Sequence, residues 1–220
     1  MLAGRPVVML ASSREGEETL WLEFFKSKRP VGQAEQAQAA SKNIANVTLP
    51  EVQWLIVPRH PNRFDEVARL LQDAGLRVAR RSAWQGDVPV AADVWLGDSI
   101  GEMAAYYTLA DVVLLGGSFA PLGGQNLIEA AACGCPVVVG PHTFNFAEAT
   151  ELACEAGAAW RTPGLPAAVD KPLALVQPPH DLDKARAAAT AFAQAHRGAA
   201  RATARQVAGL LGVAASSAKD

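Results

Sequence analysis

The chain has 220 residues, half of them hydrophobic, and its formal net charge is −2. This length accommodates one α/β domain with its own hydrophobic core, and the near-neutral charge does not indicate a nucleic-acid partner. No segment contains the roughly 20 consecutive apolar residues of a membrane-spanning helix. The cysteines Cys133, Cys135 and Cys154 lack metal-binding spacing, which is typical of reduced thiols in a cytoplasmic protein. We therefore expect a cytoplasmic domain without a metal or other cofactor.

Short apolar runs bounded by turn residues alternate with helical patterns from residue 7 to residue 160. This alternation predicts a parallel sheet with right-handed crossovers. The predicted fold class is therefore α/β: a single Rossmann-like domain over residues 1–220, with about six strands and helices on both faces. Three segments lack such patterns. Residues 29–50 are predicted to form a surface loop, 161–179 a proline-punctuated connector and 212–220 a frayed tail.

The turn after the first predicted strand, 7–11, contains Ser13, Arg14 and Glu17. Its glutamates are suited to a solvated helix start, because they complement the helix dipole. The carboxyl ends of parallel strands also form the ligand-binding edge of such sheets, so the same turn is suited to a polar rim that faces a substrate. Both interpretations remain open at this point.

The second predicted turn places Arg59 and His60 between two prolines, after the strand 54–57. Proline restricts the backbone on both sides of this basic pair. A rigidly held arginine at the carboxyl end of a strand is suited to anion binding, because its planar guanidinium can hold a phosphate at two points. For His60, a hydrogen bond from the ring to a backbone carbonyl is the favoured role.

Gly97, Asp98 and Ser99 follow the predicted strand 94–96 and precede a helical pattern. Ser99 and Glu102 have the spacing of a capping box, in which each side chain bonds the backbone N–H of the other residue. The spacing alone therefore indicates a capped helix at the end of a strand.

The stretch 110–141 has the most informative pattern in the chain: a strand, a glycine-rich turn, a short helix over 125–133 and a further strand. Two glycine pairs precede the helix. The residues of this turn are Gly116, Gly117, Ser118, Gly123, Gly124 and Gln125. Such glycines are typical of tight turns, but they also allow a backbone to approach a phosphate, and a helix start attracts anions. Two pairs beside one helix start favour phosphate binding.

Asn126 and Glu129 stand at the predicted start of this helix. They have capping-box spacing with Asn126 as the N-cap; alternatively, Glu129 accepts hydrogen bonds from ribose hydroxyls. Further along, His142 follows a Gly–Pro turn, and Asn145 has N-cap spacing to the next helical pattern. The position of His142 is equally compatible with a substrate contact and with a backbone-bonded turn residue.

Four blocks of sequence, in this order, are similar to the signature of bacterial 3-deoxy-D-manno-octulosonic acid (Kdo) transferases. They are SSREGEE at 12–18, VPRHP at 57–61, GDSIGE at 97–102 and GGSFAPLGGQNLIEAAACGCPVVVGPHTFNF at 116–146. The resemblance extends over residues 7–160 and implies the C-terminal, donor-binding half of a GT-B glycosyltransferase. Members of this family use CMP-Kdo to build the inner core of lipopolysaccharide on lipid A.

The resemblance implies that the residues of these blocks form the donor site. Arg59 is expected to contact the CMP part of the donor and Glu129 to hold the ribose, while the backbone of 116–118 and 123–126 meets the charge of the phosphate. The implied nucleotide-binding residues are Arg59, His60, Gly97, Asp98, Ser99, Gly116, Gly117, Ser118, Gly123, Gly124, Gln125, Asn126 and Glu129. Substrate contacts are implied for Ser13, Arg14, Glu17, His142 and Asn145.

The same resemblance implies an inverting, two-domain enzyme at the cytoplasmic face of the bacterial inner membrane. In such an enzyme the N-terminal domain carries the membrane anchor, the acceptor site for the lipid A precursor and the catalytic base. No catalytic residue is therefore expected in this half, which should be inactive alone. CMP-Kdo is the implied donor substrate, and no cofactor or metal is implied.

The sequence departs from the family pattern within the site. Arg14 stands where the family usually has histidine, and Leu122 and Gln125 stand where it usually has arginine and histidine. Gln125 can still donate hydrogen bonds. Two other classes remain open: a GT-B transferase or epimerase that uses a UDP-sugar, and a non-catalytic module that binds a nucleotide or a partner protein.

Overall fold

The computed structural model describes residues 5–27, 52–86, 89, 91–177, 179–196 and 206–207. Its centre is a seven-stranded sheet in which every strand pair is parallel. The strands are β1 (Val7–Ser13), β2 (Gln53–Pro58), β3 (Val78–Arg80), β4 (Val94–Leu96), β5 (Val112–Leu115), β6 (Val137–Val139) and β7 (Ala159–Arg161). Their order across the sheet is β3-β4-β2-β1-β5-β6-β7. The α/β fold class is confirmed, whereas the expected count of about six strands is too low.

The two edge strands of the sheet, β3 and β7, contain three residues each, and a strand was predicted at both places. β3 also begins two residues after the start of the predicted strand 76–79, because Leu76 packs in the hydrophobic core just before the strand begins. The residues of β3 are only half-buried, in contrast to the fully buried β4 and β5.

α-Helices connect the strands. They are α1 (Glu17–Ser27), α2 (Phe64–Asp73), α3 (Met103–Leu109), α4 (Ile128–Ala132), α5 (Ala147–Glu155), α6 (Leu165–Leu175) and α7 (Pro179–Ala195). α6 corrects the expectation that residues 161–179 form a connector. A proline is tolerated in its first turn, where the missing N–H has no helical partner. Its buried Leu165, Ala168 and Val169 pack against the sheet, and this burial outweighs the cost of Pro172 inside the helix.

The sheet separates two hydrophobic layers. On β1, Val8 and Leu10 face one layer and Met9 faces the other, so this strand is buried on both sides. The first layer contains the apolar faces of α1, α2 and α6, and the second contains those of α3, α4 and α5. α7 contributes Ala185 to the first layer and Phe192 to the second. Helices therefore cover both faces of the parallel sheet, as predicted.

β1 lies at the point where the connections change direction, because β2 is its neighbour on one side and β5 on the other. Open α/β sheets bind ligands outside the carboxyl ends of the strands at such a switch point. The loops after β1, β2, β4, β5 and β6 all border this edge. Every site residue predicted from the sequence lies in one of these loops, in the helix start that follows it or, for Ser13, at the last position of β1.

The predicted surface loop 29–50 and the predicted tail 212–220 lie outside the described residues. Their inclusion in one domain over 1–220 stays a prediction. Within the ranges that the structure describes, no helix is both long enough and apolar enough to cross a membrane.

Candidate functional site

Glu17 lies at the start of α1 and is fully buried. Its Oε2 accepts hydrogen bonds from the backbone N–H groups of Arg14 at 2.9 Å and Gly117 at 2.7 Å. Its Oε1 accepts from those of Phe119 at 3.0 Å and Ala120 at 3.3 Å. The interpretation of this turn as a solvated helix start is therefore wrong for Glu17, whose carboxylate binds the protein's own backbone.

Glu18 is also buried and forms an ion pair with Arg63 in the turn after β2. Arg63 Nη1 and Nη2 donate to Glu18 Oε1 at 2.8 Å and Oε2 at 3.1 Å. The buried Ser13 hydroxyl donates to Glu18 Oε1 at 2.7 Å, and Glu66 accepts a further bond from Arg63 at 3.2 Å. Sequence reasoning missed Arg63, because 45 positions separate it from Glu18 and no spacing pattern connects them. Ser13 thus supports an internal ion pair.

Arg59 and His60 follow β2 directly and are both exposed. The Arg59 N–H donates to the Ser13 carbonyl at 2.9 Å, and the His60 carbonyl accepts from the Arg63 N–H at 3.0 Å. Neither side chain has a hydrogen bond or ion pair to any residue that the structure describes, so the ring hydrogen bond expected for His60 is not formed. Arg59 therefore has a fixed backbone and an exposed cationic group that is available to an anion.

Asp98 follows β4, and its carboxylate is occupied by neighbouring residues. Arg80 Nε donates to Oδ2 at 2.6 Å, while the N–H and the hydroxyl of Ser82 donate to Oδ1 at 2.8 Å and to Oδ2 at 2.6 Å. Burial alone would raise the pKa of Asp98, but the hydrogen bonds from Ser82 and the charge of Arg80 outweigh burial and lower the pKa. The arrangement indicates a structural role in fastening the 81–83 turn to β4.

Replacing Asp98 with asparagine is expected to destabilise the fold by about 1–3 kcal/mol at neutral pH, because an ionised hydrogen-bond acceptor is lost. A carboxyl group whose pKa is lowered by folding contributes stability above its unfolded pKa of about 3.9 and loses it as the pH falls through the folded pKa. Urea unfolding of wild type and Asp98→Asn should therefore show a stability difference that shrinks below about pH 4. Asp73→Asn, at the exposed end of α2, is the control. A difference that is independent of pH would contradict the ionised role of Asp98.

Ser99 and Glu102 bond each other through their side chains. Ser99 Oγ is hydrogen-bonded to Glu102 Oε2 and to the Tyr106 hydroxyl, and Glu102 also accepts from Arg81 at 2.8 Å. α3 begins at Met103 without a side-chain cap. The predicted capping box is therefore wrong, because Arg81 and Tyr106 compete successfully for the polar atoms that would have bonded the backbone.

The glycines of this edge make room for neighbouring protein atoms. A Cβ on Gly97 would lie 2.7 Å from a β2 side chain, and one on Gly116 would lie 2.6 Å from the Ser12 carbonyl oxygen. A Cβ on Gly123, where φ is +88°, would lie 2.2 Å from Asn145 Nδ2. At these positions glycine allows loops to pack against one another, which favours the tight-turn interpretation over a close approach of ligand.

Gly117 and Ser118 connect the loops of the edge. The Gly117 carbonyl accepts the N–H of Gly124 at 2.7 Å, and the Ser118 carbonyl accepts the N–H of His142 at 3.0 Å. The buried Ser118 hydroxyl also accepts the N–H of Gly140 at 2.8 Å. The loop after β5 is therefore bonded both to the segment before α4 and to the loop after β6.

The start of α4 differs from the predicted one. The helix begins at Ile128 with Leu127 as its N-cap, three residues later than expected. Asn126 Oδ1 accepts the Ile128 N–H at 3.0 Å, and Asn126 Nδ2 donates to Glu129 Oε1 at 3.4 Å. Asn126 thus satisfies a backbone donor of the first turn without being the N-cap. Glu129 is exposed, and its ribose contact stays a prediction.

Gln125 and His142 are half-buried, and their side chains have no hydrogen-bond partner among the described residues. The backbone N–H groups of Gln125 and Asn126 likewise have none within that part of the chain. For His142, the backbone N–H is bonded to Ser118, whereas the imidazole is not bonded. These groups are therefore available to a ligand at the same edge as Arg59.

Asn145 fastens the loop after β6 to the loop after β5. Its N–H donates to the Gly123 carbonyl at 3.1 Å, and its Nδ2 donates to the Leu122 carbonyl at 3.2 Å. α5 begins at Ala147 with no side-chain cap, so the capping role predicted for Asn145 is wrong. The side chain bonds the Leu122 carbonyl, which is 23 positions away in the sequence, instead of the helix start.

Tyr107, on α3, lies beneath this edge. Burial raises the pKa of its hydroxyl, the charge of Glu129 raises the pKa further, and the charge of Arg59 lowers it. Arg59 and Glu129 come from different loops, and both affect the pKa of this one buried group.

Metal ligands are not clustered here. Within the described residues, no group of three or more His, Cys, Asp or Glu side chains is placed to hold a metal ion. Cys135 is buried, which raises the pKa of its thiol.

Arg14 pairs with Glu15 on the surface at 3.3 Å. Arg59 is thus the arginine of this edge that has no acidic partner in the described part of the chain.

A parallel, doubly wound sheet with loops at its carboxyl edge is the architecture of Rossmann-like domains, which bind ligands at that edge. Anabaena HepE, solved in complex with UDP-glucose, shares the fold with a TM-score of 0.59 at 17% identity, over 96% of this chain and 50% of that chain. No protein-family model matches the sequence.

Two comparisons give the family. The chain is 49% identical over 200 residues to the 3-deoxy-D-manno-octulosonic acid transferase of Bordetella pertussis, which covers 91% of this chain and 44% of that protein. It also matches the crystal structure of the C-terminal CMP-Kdo binding domain of WaaA from Acinetobacter baumannii, with a TM-score of 0.71 and 31% identity, over 88% of this chain and 91% of that one. The chain belongs to the Kdo transferase family. It spans less than half the length of the curated relatives that it matches most strongly.

Proposed function

We propose that this chain binds CMP-Kdo as the donor domain of an enzyme that transfers Kdo to lipid A during synthesis of the lipopolysaccharide inner core. The observation that carries the proposal is Arg59, an exposed cation with a fixed backbone at the carboxyl edge of the sheet. An exposed arginine without an acidic partner is suited to the phosphate of a nucleotide. The family membership supports CMP-Kdo as the particular nucleotide.

The phosphate is held by fewer backbone groups than the sequence predicted. The N–H of Gly117 is bonded to Glu17, and the N–H of Gly116 is bonded to the Ala11 carbonyl at 2.8 Å. These two donors are unavailable to a ligand. The phosphate is therefore bound by Arg59 together with the N–H groups of the segment before α4, at Gln125 and Asn126.

The transfer reaction requires groups outside this chain. A lipid A hydroxyl, deprotonated by a carboxylate of the N-terminal half, attacks the anomeric carbon of Kdo; the bond from that carbon to the phosphate oxygen breaks, and CMP leaves with inversion. The leaving phosphate gains negative charge in the transition state, so donors that meet this charge accelerate the step. Arg59 supplies this contribution, and the chain is inactive without the other half.

The acceptor defines the cellular setting of the proposed enzyme. Lipid A is a membrane lipid, so the full-length protein works at the cytoplasmic face of the inner membrane and contacts it through its N-terminal half. The donor domain itself needs only the nucleotide sugar, and neither a cofactor nor a nucleic-acid partner has a role in this scheme.

Arg59→Ala is expected to weaken CMP binding by about tenfold to a hundredfold, because a charge-assisted hydrogen bond to the phosphate is lost. Isothermal titration calorimetry of the chain with CMP, and in parallel with UMP, measures this effect. Arg69→Ala is the matched control, since Arg69 is an exposed arginine on α2 that bonds only the Asp65 carbonyl in the described structure. We expect CMP to bind more tightly than UMP, and the control to bind as the wild type does.

The nucleotide preference separates the proposal from its alternatives. Tighter binding of UMP would indicate a UDP-sugar enzyme of the same fold. CMP binding that Arg59→Ala leaves intact would remove Arg59 from the site. If the full-length protein transferred no Kdo while this domain bound CMP, the remaining interpretation would be a non-catalytic module that binds a nucleotide.

A further inference from the structure

The turn formed by residues 116–120 positions two residues of the proposed site, Gln125 and His142, although the turn itself is not accessible to a ligand. Through the Gly117 carbonyl it positions Gly124, and a Cβ on Gly117 would lie 3.2 Å from Gln125 Nε2, so this side chain lies directly against the turn. Through the Ser118 carbonyl it positions the backbone of His142. A shift of this turn would therefore move both unbonded polar side chains of the edge.

Glu17 is the group that fixes this turn. Its carboxylate accepts the N–H groups of Gly117, Phe119 and Ala120 at 2.7, 3.0 and 3.3 Å. A carboxylate that accepts several backbone N–H groups fixes their directions, and in a water-excluded site such bonds are costly to lose. The same bonds withdraw three amides from anion binding, which directs an anionic ligand toward Arg59 and Gln125.

The neighbouring residue prevents Glu17 itself from moving. Glu18 is held from two sides, by the bidentate bonds from Arg63 and by the hydroxyl of Ser13. Arg63 follows Arg59 by four positions, and the Arg59 N–H is bonded to the Ser13 carbonyl. The start of α1 is thus connected on one side to the turn that carries Arg59 and on the other to the 116–120 turn.

We propose that Glu17 is a positioning residue for the nucleotide: it holds the 116–120 turn so that Gln125 and His142 face the ligand held by Arg59. The inference rests on the proposed nucleotide-binding function. It assigns to Glu17 a role that acts through other residues, in place of the direct substrate contact that the sequence implied.

Two readouts on Glu17→Gln test this assignment. Amide hydrogen exchange should accelerate at Gly117, Phe119 and Ala120, and also at the N–H groups of Gly124 and His142 that bond the turn, while the Val113 N–H in β5 keeps its wild-type rate. CMP affinity of the folded variant should fall by about tenfold. Glu23→Gln, on the exposed face of the same helix, should change neither readout.

The two readouts separate this inference from the function on which it rests. Wild-type exchange rates at all five amides, or full CMP affinity in the folded variant, would overturn the role of Glu17. A wild-type chain that binds no CMP would overturn the proposed function and the ligand named here. Should Glu17→Gln not fold, Glu17→Asp keeps the charge on a side chain shorter by one methylene. It should give the same localised exchange pattern, and uniform acceleration over the whole sheet would then overturn the positioning role.

Discussion

Arg63→Met is expected to destabilise the fold by about 3–5 kcal/mol, because it leaves the buried carboxylate of Glu18 without a positively charged partner. The Glu18 side chain is 1% exposed and that of Arg63 is 6% exposed, so water cannot replace the lost guanidinium. The change also removes the bond to Glu66. Urea unfolding followed by the fluorescence of the buried Trp21 and Trp54 measures the loss.

A double variant distinguishes the buried charge from lost packing. Glu18→Gln combined with Arg63→Met removes both charges, and replacing a buried ion pair by uncharged groups of similar volume is often close to neutral. The double variant should therefore recover much of the stability that Arg63→Met loses. Arg69→Met, at an exposed position of α2, should change stability by less than about 0.5 kcal/mol. A double variant less stable than Arg63→Met would show that packing, rather than the unpaired charge, causes the loss.

The strands of the sheet were predictable because their signal is local. A run such as Val112–Leu115 is apolar at every position, since a central parallel strand is buried on both faces. The position of Arg59 at the end of a strand was predictable for the same reason, because that strand end and two flanking prolines lie within five residues of one another; its contact with a nucleotide stays a prediction. α6 was not predicted because its prolines are atypical of a helix. Its buried apolar face can be recognised only from the packing of the helix on the sheet.

The side-chain hydrogen bonds of the site could not be predicted from the spacing of residues in the sequence. Ser99 and Asn145 each had the correct spacing for an N-cap, and each formed a different bond in the structure. Asn126 bonds a backbone N–H of the first turn, but the helix begins one residue later than this cap required. Glu17 was assigned to solvent or substrate, although its partners in the 116–120 turn are about a hundred positions away. A side chain that can bond the nearby backbone also competes for distant partners, and only the fold determines which partner comes within reach.

The last prediction concerns Gly116, which follows β5 and lies directly against the backbone of β1. A Cβ at this position would lie 2.6 Å from the Ser12 carbonyl oxygen, 2.7 Å from Ser13 Cα and 2.8 Å from the Ala11 carbonyl oxygen. All three atoms belong to the backbone of β1, which cannot rotate away as the Asn145 side chain beside Gly123 can. Gly116→Ala is therefore expected to destabilise the fold by about 3 kcal/mol or more.

The same clash should affect the proposed nucleotide site, since the Cα of Ser13 would have to move and the carbonyl of that residue accepts the N–H of Arg59. We expect Gly116→Ala to lower both the urea midpoint and the affinity of the folded protein for CMP. Gly164→Ala is the matched control: its φ of 172° is extended, and its Cβ would meet nothing closer than 3.9 Å. If the two variants proved equally stable, the close approach of β1 to β5 would not require glycine. Loss of stability with full CMP affinity would separate this junction from the site. A loss of both would mean that the backbone contact between the two central strands determines the position of Arg59.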